Sequence, residues 1–177
     1  MSASKEYIIQ FAGLSPGEHF FELNVNDKFF ENLDYSEIKQ GNILVKLNLL
    51  KQSTMMVLNF DISGTVKANC DKCAAEFDLS ISGSHKLIVK VGGHSDAEED
   101  DDIITVAANE HKIDLTQYLY EYITLSLPIK REHVNEADCD KNILNKVNQF
   151  LIDEEIDEDK DEPIDPRWDG LKDIKLN

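Results

Sequence analysis

Residues 56–91 read MVLNFDISGTVKANCDKCAAEFDLSISGSHKLIVKV, and this stretch decides the fold. Apolar residues recur at every second position on both sides of the central Cys-Asp-Lys-Cys motif, as they do in strands with one buried face. The residues expected to face inward are Leu58, Phe60, Ile62, Val66, Phe77, Leu79, Ile81, Leu87, Val89 and Val91. Two long strands therefore flank Cys70 and Cys73. This predicts that the cysteine pair lies in a turn between strands and not at the start of a helix.

Shorter elements precede this hairpin. Apolar alternation predicts strands over about 18–25 and 43–49, and residues 52–53 are typical of a turn into the long hairpin. The Asn-Asp pair at 26–27 is suited to capping a short helix that carries Phe29, Phe30 and Leu33. Consecutive strands joined by short turns form an antiparallel meander, so the sheet is expected to pack one face and leave the other in water.

The second half of the chain is predicted to be largely helical. An acidic run at 94–102 holds six acidic residues and no base, and we interpret it as a mobile loop before a strand at 103–106. A capped helix start at Asp114 begins a helix that ends before Pro128, with an apolar face made by Leu115, Tyr118, Leu119, Tyr122 and Ile123. A second helix is expected over about 140–152, with a buried stripe made by Ile143, Leu144, Val147, Phe150 and Leu151.

These patterns predict an α+β fold: a twisted, largely antiparallel sheet with two C-terminal helices packed against it and an acidic tail. The expected domain spans residues 1–152. Residues 153–164 are interpreted as an acidic linker, because nine acidic residues and one lysine lie between 153 and 165. Residues 165–177 differ from that linker, since they hold the only tryptophan of the chain. They are interpreted as a docking segment whose contact residues are Arg167, Trp168 and Leu171.

The charge balance restricts the partners of this protein. The chain has 18 basic and 35 acidic side chains, which gives a formal net charge of -17. Nucleic acid and anionic membranes bind clustered Lys and Arg, so this excess of acid disfavours both and favours a basic protein partner. The first residues show no apolar core of signal-peptide length, and no later run approaches the roughly 18 apolar residues of a membrane span. We therefore expect a soluble, cytoplasmic protein.

The cysteine pair is a candidate zinc site. Two thiolates from one tight turn are able to occupy adjacent corners of a tetrahedron, each about 2.3 Å from the metal. The chain has three cysteines, and the third, Cys139, follows His133 by six positions. The predicted ligand set is therefore Cys70, Cys73, His133 and Cys139, with His85, His94 and His111 as other choices for the histidine.

The sequence permits two other interpretations of the thiols. A thiol oxidoreductase also uses Cys-x-x-Cys, but its attacking thiolate normally lies at a helix N-terminus, and residues 74–81 are predicted to form a strand. The thiols are also open to interpretation as ordinary reduced cysteines. No glycine-rich phosphate loop, Gly-x-Ser-x-Gly or His-Glu-x-x-His motif occurs in the sequence, so nothing in it indicates catalysis.

The sequence resembles the YceD family, whose name describes accumulation of large-subunit ribosomal RNA. The resemblance covers roughly residues 64–175 and consists of three motifs in order. They are Gly64-Thr65-Val66 leading through Cys70-Asp71-Lys72-Cys73 to Phe77, Ile113-Asp114-Leu115 followed by a helix that ends in Leu127-Pro128, and Asp165-Pro166-Arg167-Trp168 with Leu171.

The resemblance implies a non-enzymatic factor in large ribosomal subunit biogenesis or ribosomal RNA accumulation. Many relatives carry further cysteines after the Leu-Pro motif, consistent with a completed metal site, whereas this chain offers His133 and Cys139 there. Zinc is therefore the candidate cofactor. The acidity makes a ribosomal protein or a ribosome assembly factor a more favourable partner than ribosomal RNA. The alternatives are a thiol oxidoreductase and a zinc-stapled protein-binding module unrelated to ribosomes.

Overall fold

A five-stranded sheet forms the centre of the protein. The structure is a computed structural model that describes residues 5–92 and 102–150. The strands are β1 (Ile8–Ile9), β2 (Gly17–Val25), β3 (Gly41–Lys51), β4 (Met55–Asn69), β5 (Glu76–Val91), β6 (Ile103–Val106) and β7 (Ile113–Asp114). The helices are α1 (Asp27–Glu31), α2 (Thr116–Leu125) and α3 (Lys141–Phe150), with short 3-10 turns at Lys5–Tyr7 and Glu136–Asp138. The described elements confirm an α+β fold.

The central sheet has the strand order β2-β3-β4-β5-β6, and its first four strands form the predicted antiparallel meander. The alternating apolar residues of the hairpin, such as Leu58 and Phe60, are buried on its inner face. Across β4 and β5, Leu58 lies opposite Leu87 and Phe60 lies opposite His85. Strands β3 and β4 approach so closely that a side-chain carbon at Gly64 would collide with the backbone carbonyl of Asn42. Glycine is therefore required at this position.

One pairing in the sheet differs from the meander. Strand β6 lies beside β5 and runs parallel to it, with Ile88 opposite Ile103. The sheet is still largely antiparallel, as expected. The direction of β6 is not encoded in a four-residue apolar run, because its alternation is the same whichever way the strand runs.

Helix α2 and a small ribbon accompany the inner face of the sheet. The ribbon pairs β1 with β7 antiparallel and places Ile9 opposite Ile113. Helix α2 ends three residues before Pro128, and the Tyr122 ring stacks on that of His85 with a centroid separation of 4.7 Å. Its predicted apolar face is buried or partly buried: Leu115, Tyr118, Leu119, Tyr122 and Ile123. The first predicted helix is therefore confirmed.

Helix α3 differs from the expectation. The chain divides into two compact units, Met1–Lys141 and Asn142–Asn177, and nearly all of α3 belongs to the second. Helix α3 contains no buried residue, and the Phe150 side chain is 83% exposed. The predicted buried stripe along Ile143, Leu144, Val147, Phe150 and Leu151 is therefore not confirmed: the first two are partly exposed, Val147 and Phe150 are exposed, and Leu151 lies outside the described residues. Helical periodicity identifies an apolar face, but it does not show that another element covers that face.

Several predictions fall outside the described residues. These are most of the acidic run, residues 94–101, the linker at 153–164, and the docking segment at 165–177 with Arg167, Trp168 and Leu171. The domain boundary at residue 152 also stays a prediction. Within residues 5–92 and 102–150, no helix combines the length and the apolar character that a membrane crossing requires.

Candidate metal centre

The cysteine pair lies at the tip of the β4–β5 hairpin, in a turn between the two strands as predicted. The Cys70 N–H donates to the Ala75 carbonyl over 2.9 Å, and the Ala74 N–H donates to the Cys70 carbonyl over 2.8 Å. Ala74 has a φ of 57°, in the left-handed region that is uncommon for residues other than glycine. These bonds close a tight reversal, which we call the knuckle (residues 70–75).

A second segment, residues 131–139, is attached to the knuckle by two hydrogen bonds and an ion pair. The Asp71 N–H donates to the Arg131 carbonyl, and the Arg131 N–H donates to the Asp71 carboxylate, both over 2.7 Å. The Lys72 ammonium lies 2.9 Å from the Glu132 carboxylate. We call these contacts the clasp. They fix the distance between two parts of the chain that lie some sixty positions apart in the sequence.

The clasp brings all four predicted ligands together. One ligand atom from each of Cys70, Cys73, His133 and Cys139 lies within 4.8 Å of the others. The Sγ atoms of Cys70 and Cys139 are 4.0 Å apart. The His133 Nδ1 atom is 3.8 Å from the Cys73 sulfur and 3.4 Å from the Cys139 sulfur. In a tetrahedral zinc site, bonds of about 2.0–2.3 Å place neighbouring ligand atoms about 3.5–3.8 Å apart, so the four residues fit a metal ion of this kind.

The structure also decides which histidine completes the group. The His133 ring lies against Phe77 with a centroid separation of 4.5 Å, and its Nδ1 atom faces the sulfurs. His85 instead approaches Ser126, with 3.0 Å between its Nε2 atom and the hydroxyl. His111 is exposed in the loop before β7, and His94 lies outside the described residues. Of the described histidines, His133 is therefore the one that lies with the thiols.

The three thiols are buried, and the pKa values of Cys70 and Cys139 are shifted in opposite directions. Burial alone would raise the pKa of Cys70, but hydrogen bonds from nearby backbone N–H groups and from the Cys73 side chain lower it to about 6. Burial raises the pKa of Cys139 to about 12, and its two neighbouring thiols add to the shift. Thiolates this close repel one another, and a cation between them would remove that repulsion.

The clasp residues and Phe77 have structural roles that the sequence did not reveal. Asp71 is part of the cysteine motif, and a short acidic side chain in a turn is a recognisable signal for bonding to a backbone N–H. Nothing in the sequence links it to Arg131 sixty positions away. Phe77 was predicted to face inward, but its contact with His133 depends on how the second segment returns to the hairpin.

Comparison with known protein families agrees with these features. The family model described as "Large ribosomal RNA subunit accumulation protein YceD" matches residues 58–175, which is more than half of the chain and includes all four candidate ligands. The chain belongs to the YceD family. No curated protein and no solved structure matches this YceD-family chain in the same comparisons.

The matched region includes the second motif that carried the resemblance. Ile113 and Asp114 form β7, and the Asp114 carboxylate accepts from the Thr116 N–H over 2.9 Å at the start of α2. Leu115 is fully buried. In this YceD-family chain the Ile-Asp-Leu motif therefore connects the small ribbon to the helix that accompanies the sheet.

Proposed function

We propose that this protein is a non-enzymatic factor for the accumulation of large-subunit ribosomal RNA, and that a zinc ion staples its knuckle to residues 131–139. The family match supports the biological role. The juxtaposition of three buried thiols and one imidazole supports the staple. It is the single observation on which the metal part of the proposal depends.

The proposed metal role is structural. Zinc in structural sites has four protein ligands, whereas catalytic zinc keeps a position for water or substrate. Cys70, Cys73, His133 and Cys139 supply four donors, and the cysteines are at most 5% exposed. A zinc ion held by all four would have no free position for a substrate. Its contribution would be to join two distant segments of the chain.

Burial of the thiols also bears on the oxidoreductase alternative. A pKa of about 6 at Cys70 is in the range of reactive thiols. However, Cys70 is 2% exposed and Cys73 is fully buried, and the turn that carries them does not begin a helix. A protein substrate would not reach either sulfur without opening the knuckle. The geometry therefore favours a staple over disulfide exchange.

The proposed partner is a basic ribosomal protein or a ribosome assembly factor. With a net charge of -17, the chain repels phosphate and attracts cationic surfaces. The same physical argument makes direct contact with ribosomal RNA unfavourable. We propose that the protein works in the cytoplasm through protein contacts.

Gene replacement in the source organism tests the proposed role. Cells that lack the protein should contain less large-subunit ribosomal RNA and fewer large subunits in sedimentation profiles. Wild-type protein and Ser82→Ala, a change on the exposed outer face of β5, should restore both, whereas Cys73→Ser should not. Normal RNA levels and normal profiles after deletion, in a background without a substitute gene, would contradict the proposal.

A further inference from the structure

Strand β4 extends beyond its neighbour β3. The last pair between them joins Gly41 to Val66, but β4 continues to Asn69 and is paired there with Glu76 of β5. The end of β4 therefore has a strand on one side only. We call residues 67–69 the open edge.

The hydrogen-bond pattern shows which backbone groups face outward from the open edge. In antiparallel pairs, successive residues of a strand direct their N–H and carbonyl groups to opposite sides. The Cys70 N–H points to β5, where it donates to Ala75, and the Lys67 N–H points the other way, where it donates to the Gln40 carbonyl. Asn69, two positions after Lys67, therefore directs its N–H and carbonyl away from β5, and its side chain is exposed. Such groups are able to pair with a strand from another chain.

The open edge forms one wall of a groove of about 570 Å³. The other walls come from the segment before β3, represented by Gln40, and from the end of α2 and the residues after it, including Thr124 and Leu127. The groove ends at Asp71 and Arg131, two of the four residues of the clasp. A volume of this size is sufficient for a few residues of an extended peptide.

The charges around the groove favour a basic occupant. Its lining includes the acidic residues Glu37, Asp71 and Glu76 and the basic residues Lys39, Lys67 and Arg131. The Lys67 ammonium is already 3.0 Å from the Asp78 carboxylate, which leaves the acids in excess. In the part of the chain that the structure describes, Glu37 and Glu76 form no ion pair. The net charge of -17 adds a negative field over the whole surface.

We propose that the groove binds an extended, basic segment of a partner protein, which adds a short strand to the open edge of β4. Main-chain hydrogen bonds to the N–H and carbonyl of Asn69 would supply affinity, and the carboxylates of Glu37 and Glu76 would select Lys or Arg side chains. This inference rests on the proposed function, because it identifies the surface through which a basic ribosomal protein or assembly factor is recognised.

The groove and the metal centre share the clasp. Asp71 and Arg131 line the groove, and the same two residues tie the knuckle to the segment that carries His133 and Cys139. Loss of the metal would release this segment and remove one end of the groove. The partner should therefore bind the metal-loaded protein more tightly than the metal-free protein.

Photo-cross-linking with proteins released by salt from purified large ribosomal subunits tests the location of the surface. The cross-linking amino acid p-benzoylphenylalanine is placed at Thr124 in the groove or, as a control, at Asn59 on the exposed outer face of β4. We expect a basic protein to be captured from position 124 and not from position 59. Capture from both positions alike, or a cross-link from 124 to the chain's own residues 151–177 or to a second copy, would overturn the inference.

A matched pair of substitutions tests strand addition. Asn69→Pro removes an N–H that bonds to neither β3 nor β5, whereas Asn69→Ala keeps it. Binding of the captured protein, measured by titration calorimetry, should weaken about tenfold in Asn69→Pro and stay within about twofold of wild type in Asn69→Ala. Equal binding by the two variants would overturn strand addition.

Two further measurements keep the test decisive. If Asn69→Pro loses its bound metal, the double variant Glu37→Lys, Glu76→Lys is tested in its place. Unchanged binding of the captured protein by that double variant would overturn the inference. Gene replacement separates this inference from the proposed function. Normal ribosomal RNA levels after deletion would contradict the proposed function. If deletion does lower those levels, full rescue by Asn69→Pro would contradict only the proposal that the groove binds a partner strand.

Discussion

The middle and the tip of the β4–β5 hairpin are stabilised in different ways. In the middle, apolar residues such as Leu58 and Phe60 are fully buried against the core of the protein. At the tip, three thiols and an imidazole lie together in place of large apolar side chains. The middle should fold without any ligand. The tip should depend on a metal, because its three thiols are small side chains, and binding a metal couples the folding of such a site to the ion.

Removing the metal should produce the largest difference between the two regions. Zinc binding contributes of order 10 kcal/mol to the folding of small structural sites. We expect a chelator, or Cys73→Ser, to lower the free energy of unfolding by about 3 kcal/mol or more, because both disconnect residues 131–139 from the knuckle. Hydrogen exchange should accelerate at 70–75 and remain slow in the middle of β4. Equal acceleration in both regions would show that the hairpin is one stability unit.

A core substitution should give the opposite pattern. Phe60 is fully buried, and its ring lies 5.2 Å from that of Tyr122 in α2. Phe60→Ala should lower the free energy of unfolding by about 3–5 kcal/mol through lost burial and a cavity. Denaturant titration measures this loss, and metal analysis should find zinc content unchanged in the folded protein. Loss of zinc from folded Phe60→Ala would mean that the core determines the geometry of the tip.

A smaller effect is expected when the clasp is weakened. Asp71→Ala removes the carboxylate that accepts from the Arg131 N–H, which should cost about 1–3 kcal/mol. It should also weaken zinc binding in competition with a chromophoric chelator. The matched control is Asp78→Ala, since Asp78 is an exposed acid whose ion pair with Lys67 should contribute less than about 1 kcal/mol. Equal zinc affinity in the two variants would show that the clasp does not hold the metal ligands in place.

The smallest effect concerns pH and the middle of the hairpin. Burial lowers the pKa of His85, and the charge of Asp102 partly opposes this shift. The neutral ring is therefore favoured in the folded state, so its stabilising contribution is fully present above about pH 6.5 and is lost as the pH falls through the folded pKa. The thermal midpoint should fall more between pH 7 and pH 5 in wild type than in His85→Gln. Equal decreases of the thermal midpoint in the two proteins would show that His85 does not contribute to the pH dependence of stability.

The strands of the meander and the turn at Cys70 were predictable because a period of two residues is a local property of the sequence. The same locality explains the failures. The buried stripe of α3 was not confirmed, because amphipathic spacing does not identify a covering surface. The parallel direction of β6 and the pairing of β1 with β7 depend on where the chain returns, and so does the clasp between Asp71 and Arg131.

The sequence predicted the ligands of the candidate site better than the contacts that hold those ligands in place. Cysteine spacing indicated a metal pair, and the scarcity of thiols pointed to Cys139. His85, His94 and His111 were other choices in the sequence, and the fold distinguishes His133 from the two of them that the structure describes. The open edge of β4 was not predicted, because the register between β3 and β4 determines where one strand ends and the other continues.

Metal analysis with cobalt substitution tests the central claim most directly. Protein purified without added zinc should contain one zinc ion per chain, and the cobalt-substituted protein should show the absorption of a tetrahedral site with thiolate ligands. Each of Cys70→Ser, Cys73→Ser and Cys139→Ser should reduce the thiolate absorption, and His133→Ala should weaken metal binding. A metal-free wild-type protein whose thermal midpoint is unchanged by zinc, chelator or these substitutions would contradict the account.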